Sequence, residues 1–256
     1  MAEFLISLLV FLIGISIGSF AYAFALRLPT GKPWIFDRSH CDKCGSILSW
    51  RELLPLASFI FQRGRCLNCR KFIGWSYPLS ELVFAFSFLW LWETKFLAIM
   101  DFIWLSFWIF FFFVISIIDL KHLIIPDKLI LFGTGAVILE LLLKFGAKTF
   151  LINNILTAAL SCGAFFLLWF FSGGRWLGFG DVKFIFLIGL LFGFPATIWI
   201  IYIAVAVGVG AGLFLILFKN ASGKTPLPLG TFLGLASIFY ILFNDSINSF
   251  FLKILL

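Results

Sequence analysis

Apolar and polar positions alternate along this chain on a long wavelength. Apolar runs occupy about 4–26, 77–98, 101–119, 129–146, 150–172, 182–197, 198–218 and 229–252, separated by short polar breaks and one long polar stretch after the first run. Crossing about 30 Å of hydrocarbon takes roughly 20 helical residues, so the pattern predicts about eight transmembrane helices. Between the sixth and seventh runs only Gly193-Phe194-Pro195 signals a turn. A helix running through it would reduce the count to seven and move the C-terminus to the other side. The first run, Phe4 to Leu26, has no basic segment before it and no small-residue cleavage site after it, so it reads as a retained helix and not as a signal peptide.

Basic residues orient these runs. The stretch after the first run carries Arg27, Lys32, Arg38, Lys43, Arg51, Arg63, Arg65, Arg70 and Lys71, nine of the nineteen in the chain. The positive-inside rule places that stretch in the cytoplasm and the N-terminus outside. Lys121, Lys128, Arg175, Lys183, Lys219 and Lys224 fall on the same side, against Lys95, Lys144, Lys148 and Lys253 on the other. Composition agrees: 62% hydrophobic residues, 12% charged and a mean hydropathy of +1.13 exclude a water-soluble domain. Thirty-seven Phe and ten Trp suit a surface facing the lipid bilayer. The net charge of +7 is accounted for by orientation, and no basic patch is interleaved with a nucleic-acid reader fold, so a nucleic-acid partner is not expected.

The cytoplasmic stretch, residues 27–76, is too short to hold itself together by a hydrophobic core. It contains Cys41-x-x-Cys44, a gap of twenty-one residues, and Cys66-x-x-Cys69. Two such pairs read as a tetrahedral four-thiolate zinc site, structural because four thiolates leave no position open for water. Two disulfides are the alternative, disfavoured where thiols are kept reduced. Cys162 sits alone in an apolar run and reads as a small buried thiol. The segment from Asn220 to Pro228 reads as a loop, since its Gly223-Lys224-Thr225 lacks the upstream glycine of a phosphate-binding loop.

Among twelve acids, Asp119 and Asp181 stand at the edges of long apolar runs, where a charge is costly and therefore a functional candidate. Asp119 ends an outside-to-inside run and Asp181 opens an inside-to-outside one, so both reach the cytoplasmic boundary. Simpler roles exist for each: Asp119 as an interfacial acid beside Lys121 and His122, Asp181 as a helix cap, and Asp127 as a cap for the fourth run. Gly178 and Gly180 favour function at Asp181, because a cap does not need them whereas a backbone passing close to a neighbour does. Two carboxylates a few ångströms apart cannot both ionise comfortably. One keeps a proton and polarises a peptide carbonyl while the other activates a shared water, and the pair titrates as a unit. An ion-coupled transporter using the same acids as a relay is the rival reading. It predicts no four-cysteine loop, and no broken-helix inverted repeat is evident.

From the first run to about residue 195 the chain resembles the type IV prepilin peptidases, membrane aspartic proteases of the GxGD type. The likeness is carried by Gly18-Ser19-Phe20 with Arg27-Leu28-Pro29, the two cysteine pairs with Arg63-Gly64-Arg65, and Tyr77-Pro78-Leu79-Ser80-Glu81-Leu82. It continues through Ile118-Asp119-Leu120 with Ile125-Pro126-Asp127 and Gly178-Phe179-Gly180-Asp181-Val182-Lys183. The resemblance implies Asp119 and Asp181 as catalytic residues, an inner-membrane location, and removal of the basic leader of type IV prepilins or type II secretion pseudopilins. It also implies N-methylation of the new terminus from S-adenosylmethionine. Tyr22, Glu52-Leu53-Leu54-Pro55 and Ser76 depart from the family pattern, all in the region associated with methylation, leaving a peptidase without methyltransferase activity as the alternative. The expected organisation is an all-α polytopic membrane protein: a first transmembrane helix at 1–26, a zinc-held loop domain at 27–76 and a helical bundle with the aspartate pair at 77–256.

Overall fold

The computed structural model describes residues 1–31, 38–41, 43–95, 98–144, 148–219 and 226–255; Gly223-Lys224-Thr225 and Lys32 lie outside them. Helices dominate: α1 (Ala2–Arg27), α2 (Ala57–Phe61), α3 (Ser76–Lys95), α4 (Ile99–His122), α5 (Asp127–Lys144), α6 (Lys148–Ser172), α7 (Phe179–Phe192), α8 (Ala196–Lys219) and α9 (Leu229–Leu255). All eight apolar runs are helical, and the break after Phe192 separates α7 from α8 where the Gly193-Phe194-Pro195 turn predicts it. Among the described residues five helices are long and apolar enough to cross a membrane, namely α1, α4, α6, α8 and α9. The others are shorter or more polar. The fourteen residues of α7 reach about 21 Å at 1.5 Å per residue. Its Val182, Phe184, Ile185, Leu187 and Ile188 are buried, so α7 is apolar because protein surrounds it.

The chain divides into two compact units, Met1–Phe110 and Phe111–Leu256. In the first, α1 lies against α3 at very short range. A Cβ at Gly14 would sit 2.7 Å from the Ala85 Cα, and one at Gly18 would sit 2.7 Å from the Ser80 carbonyl oxygen. Small residues four apart let two backbones approach, which is how helices gain contact where lipid supplies no hydrophobic drive. Beyond Gly18, Tyr22 sits edge-on to Tyr77 of α3 at 4.7 Å, and Phe20 stacks on Phe110 of α4.

The same device recurs in the second unit. A Cβ at Gly189 of α7 would lie 2.7 Å from the Ala158 Cα of α6. One at Gly234 of α9 would lie 2.9 Å from the Phe112 carbonyl oxygen of α4 and would overlap the Ser116 hydroxyl. Elsewhere α8 and α9 join through Trp199 stacked on Phe251 at 3.8 Å. Large apolar side chains such as Leu131, Leu142, Leu160, Phe171, Leu217 and Phe218 point outward and are exposed, an apolar surface too extensive for water and suited to lipid.

Substituting Gly189 by Leu is expected to lower thermal stability in detergent by about 1–3 kcal/mol through overpacking. Gly135→Leu, at a position facing open space, is expected to leave the melting midpoint unchanged; equal midpoints for both variants would refute the close approach.

Candidate active site and metal centre

Asp119 lies in the last turn of α4, where Ile118 before it is fully buried and Lys121 after it is exposed. The carboxylate is 5% exposed. Burying such a group requires hydrogen-bond donors, and the N-terminus of α9 supplies them. The Thr231 backbone N–H donates to Asp119 Oδ2 at 2.7 Å and the Thr231 hydroxyl lies 3.2 Å from the same oxygen. These N–H groups belong to a first helical turn, which has no intrahelical acceptors for them and carries the positive end of the helix dipole. Gly230 completes the approach: a Cβ there would stand 3.0 Å from Asp119 Oδ2 and 2.7 Å from Ile125 Cδ1. Thr231 and Ser116 are also laced together, the Thr231 hydroxyl 3.0 Å from the Ser116 carbonyl oxygen and the Ser116 hydroxyl 3.3 Å from that of Thr231.

Asp181 is the third residue of α7, after the N-cap Gly178, and is half-buried. Its Oδ2 accepts the Gly178 N–H at 3.2 Å, so it does cap its helix, reaching back from the third position. The two glycines have separate tasks. Gly178 leaves room for that return, and Gly180 lies against Ile125, where a Cβ would meet the Ile125 Cβ at 3.2 Å. Asp119 and Asp181 come within electrostatic reach of one another, and the Gly230 backbone N–H lies within reach of both. Asp127 opens α5, and its carboxylate is ion-paired with Lys183. Sequence reading missed Ser116, Gly230 and Thr231. The available signal was Gly230-x-x-x-Gly234, the spacing of a close helix approach, directly after the Pro226-Leu227-Pro228 break.

The four cysteines converge. Their sulfurs all lie within 4.8 Å of one another, with Cys41 Sγ 3.9 Å from Cys69 Sγ. Each cysteine pair is built on one plan. The Cys41 N–H donates to Ser46 O and the Gly45 N–H to Cys41 O, and the Cys66 N–H likewise donates to Lys71 O and the Arg70 N–H to Cys66 O. Bridges between His40 and Ile47 and between Arg65 and Phe72 close the two turns. The fourth position after the first cysteine is left-handed in both, Gly45 at φ 70° and Arg70 at φ 61°. None of these cysteines is disulfide-bonded. Tetrahedral zinc at 2.3 Å from each sulfur separates sulfurs by about 3.8 Å, so the cluster fits a zinc-sized cation. The side chain and backbone N–H of Ser46 draw the Cys44 thiol down to about 6, whereas burial and the neighbouring thiols push that of Cys69 up to about 11.

Two family models cover the chain in tandem. Residues 12–94 match the Bacterial Peptidase A24 N-terminal domain and residues 105–213 match the Type IV leader peptidase family. The chain belongs to the type IV leader peptidase family. Among relatives, a prepilin leader peptidase/N-methyltransferase of Bacillus subtilis (strain 168) is 28% identical over 97% of this chain and 98% of its own length. One of Aeromonas salmonicida (strain A449) is 27% identical over 97% and 94%, and one of Pseudomonas aeruginosa 26% identical over 86% and 76%. No solved structure matches the chain significantly. Both aspartates fall within the second match, and the four cysteines fall within the first.

The first unit also contains a cavity of about 270 Å³, lined among others by Arg27, Lys43, Glu52, Glu81 and Tyr77. Glu81 is buried and its Oε2 accepts the Leu56 N–H at 2.7 Å, while Glu52 accepts the backbone N–H and hydroxyl of Ser49.

Metal analysis of the purified protein is expected to return one zinc per chain, lost in Cys66→Ser. A wild-type preparation with no metal and four titratable loop thiols would refute the zinc assignment.

Proposed function

We propose that this chain is a membrane-embedded aspartic endopeptidase that removes the basic leader of type IV prepilins or pseudopilins at the cytoplasmic face of the inner membrane, and then methylates the new N-terminus. What supports the reading most is that Asp119, held by the N-terminus of α9, lies within electrostatic reach of Asp181, in a chain of the leader peptidase family. The bond such an enzyme cuts lies between a charged leader and an apolar helix, and the pair's position at the end of α4 and the start of α7 suits that boundary. In this reading the N-terminus is outside. All eight longer helices then cross or enter the bilayer, with α7 sheltered from lipid. The residues 27–76 form a cytoplasmic domain stapled by zinc on Cys41, Cys44, Cys66 and Cys69, and the bundle of 77–256 carries the reaction.

One carboxylate of the pair takes a proton from a bound water as that water attacks the scissile carbonyl, while the protonated partner donates to the carbonyl oxygen. When the tetrahedral diol collapses, the carboxyl that took the water's proton passes it to the leaving amine, and a diol hydroxyl reprotonates the partner. The pair's electrostatics do the work in a site shielded from bulk water, where a fixed donor counts for more than in solution. Zinc takes no part, since four thiolates fill its coordination sphere.

Methyl transfer belongs to the first unit. S-adenosylmethionine, when bound, supplies a methyl group on a cationic sulfur. The cavity fits such a molecule: Glu52 and Glu81 offer negative charge to cationic groups, Arg27 and Lys43 face a carboxylate, and Tyr77 offers a ring. Tyr22, buried at 5% exposure against Tyr77, takes a packing role beside this cavity.

Asp119→Asn and Asp181→Asn are each expected to abolish leader removal, by at least about 10³-fold, with the protein still inserted and folded; full processing by either would remove the pair from consideration. Glu81→Gln is expected to reduce transfer of labelled methyl groups to a precleaved pilin while leaving cleavage intact, and unchanged methylation would move the donor site elsewhere.

A further inference from the structure

The hydrogen bonds around Asp119 are not symmetrical with those around Asp181, and the difference assigns roles within the pair. Around Asp119 Oδ2 stand the Thr231 N–H, the Thr231 hydroxyl and, within reach, the Gly230 N–H. Asp181 Oδ2 has the single Gly178 N–H at a longer 3.2 Å, with the Gly230 N–H in reach. A backbone N–H can only donate, so the oxygen facing α9 is held as an acceptor. That is the arrangement of a resting base.

The Thr231 hydroxyl adds a second property. It has one hydrogen and two acceptors in range, the Ser116 carbonyl oxygen at 3.0 Å and Asp119 Oδ2 at 3.2 Å. While Asp119 is ionised the hydroxyl donates to it. When Asp119 takes a proton on its other oxygen, Oδ2 stays an acceptor, and the hydroxyl either keeps donating to it or turns its hydrogen to the Ser116 carbonyl oxygen. Ser116 and Thr231 are buried, at 1% and 5% exposure, so water is not at hand to take this part.

We propose that Thr231 is a positioning residue that makes Asp119 the general base and Asp181 the general acid, its N–H and hydroxyl holding Asp119 Oδ2 as an acceptor so that the other oxygen is left to take the proton. This rests on the peptidase reading above. The proton balance is closed: the water's proton goes to Asp119 and Asp181's proton to the carbonyl oxygen; when the carbon–nitrogen bond breaks, Asp119 passes its proton to the leaving amine and a hydroxyl of the tetrahedral diol reprotonates Asp181. The charged group acting on Asp181 across the site is Asp119, while Asp127 and Lys183 are ion-paired with each other.

The test measures kcat and KM against pH for full-length wild type, Thr231→Val, Thr231→Ala and Thr231→Ser on a prepilin substrate, with Asp119→Asn as the inactive control and melting midpoints for folding. Removing the hydroxyl is expected to lower kcat about tenfold with KM unchanged. It also shifts the acid limb of the profile to higher pH, because ionised Asp119 loses a donor. Thr231→Ser restores both. Wild-type rates and limb in Thr231→Val or Thr231→Ala would overturn the proposal, as would a loss in Thr231→Ser equal to theirs with no movement of the limb. Should Val crowd the α4 contact and unfold the protein, the smaller Ala variant decides. If wild type itself fails to cleave, or Asp119→Asn cleaves, the peptidase reading fails and not this refinement of it.

Discussion

A buried carboxylate facing the first turn of a neighbouring helix is the constraint on which the second unit depends. Asp119 is a charge carrier almost sealed from solvent, and it is tolerable there because the free N–H groups of α9 point at it. That donation requires α9 to come unusually close to α4. Gly230 and Gly234, one helical turn apart, are what remove the side chains that would prevent it. Packing and chemistry are therefore the same fact at this place. The contact that joins two helices in a medium without a hydrophobic drive also orients the acid.

The first unit solves a different problem by different means. Its polar loop, exposed to water on most sides, has too little apolar surface to fold alone, and its order comes from two turns of matching design that present four sulfurs to one point. Four thiolates at that range repel one another, so a divalent cation is the natural keystone. Arg70 shows how firmly the turn geometry is set: it adopts the left-handed backbone that Gly45 adopts in the first turn, although a side chain there carries a cost. The cavity beside this loop gives the unit a chemical surface of its own, and the relatives carry a double name.

Much of this was legible in the pattern of residues. Eight apolar runs became eight helices because a bilayer-length apolar run has few alternatives to helix, and the Gly-Phe-Pro signal ended α7 because its glycine and proline leave the helical path. The cysteine pairs were legible because knuckle geometry is local to four or five residues. Crossing the membrane was less so: α7 has the hydropathy of a span but the length of a buried plug, and hydropathy cannot separate lipid from protein as a neighbour. The two readings of Asp181 are not exclusive: it caps α7 through the Gly178 N–H and lies within electrostatic reach of Asp119. Thr231 escaped notice entirely, because its role lies in a contact 112 residues distant in sequence and a threonine in an apolar run has many ordinary uses.

The most direct test is the separation of the nearest Asp119 and Asp181 carboxyl oxygens in an experimental structure of the full chain in lipid nanodiscs. The account predicts about 6 Å or less, two hydrogen-bond lengths through one shared water, with the Thr231 N–H still on Asp119. Oxygens about 10 Å or more apart, with α9 withdrawn from α4, would contradict it.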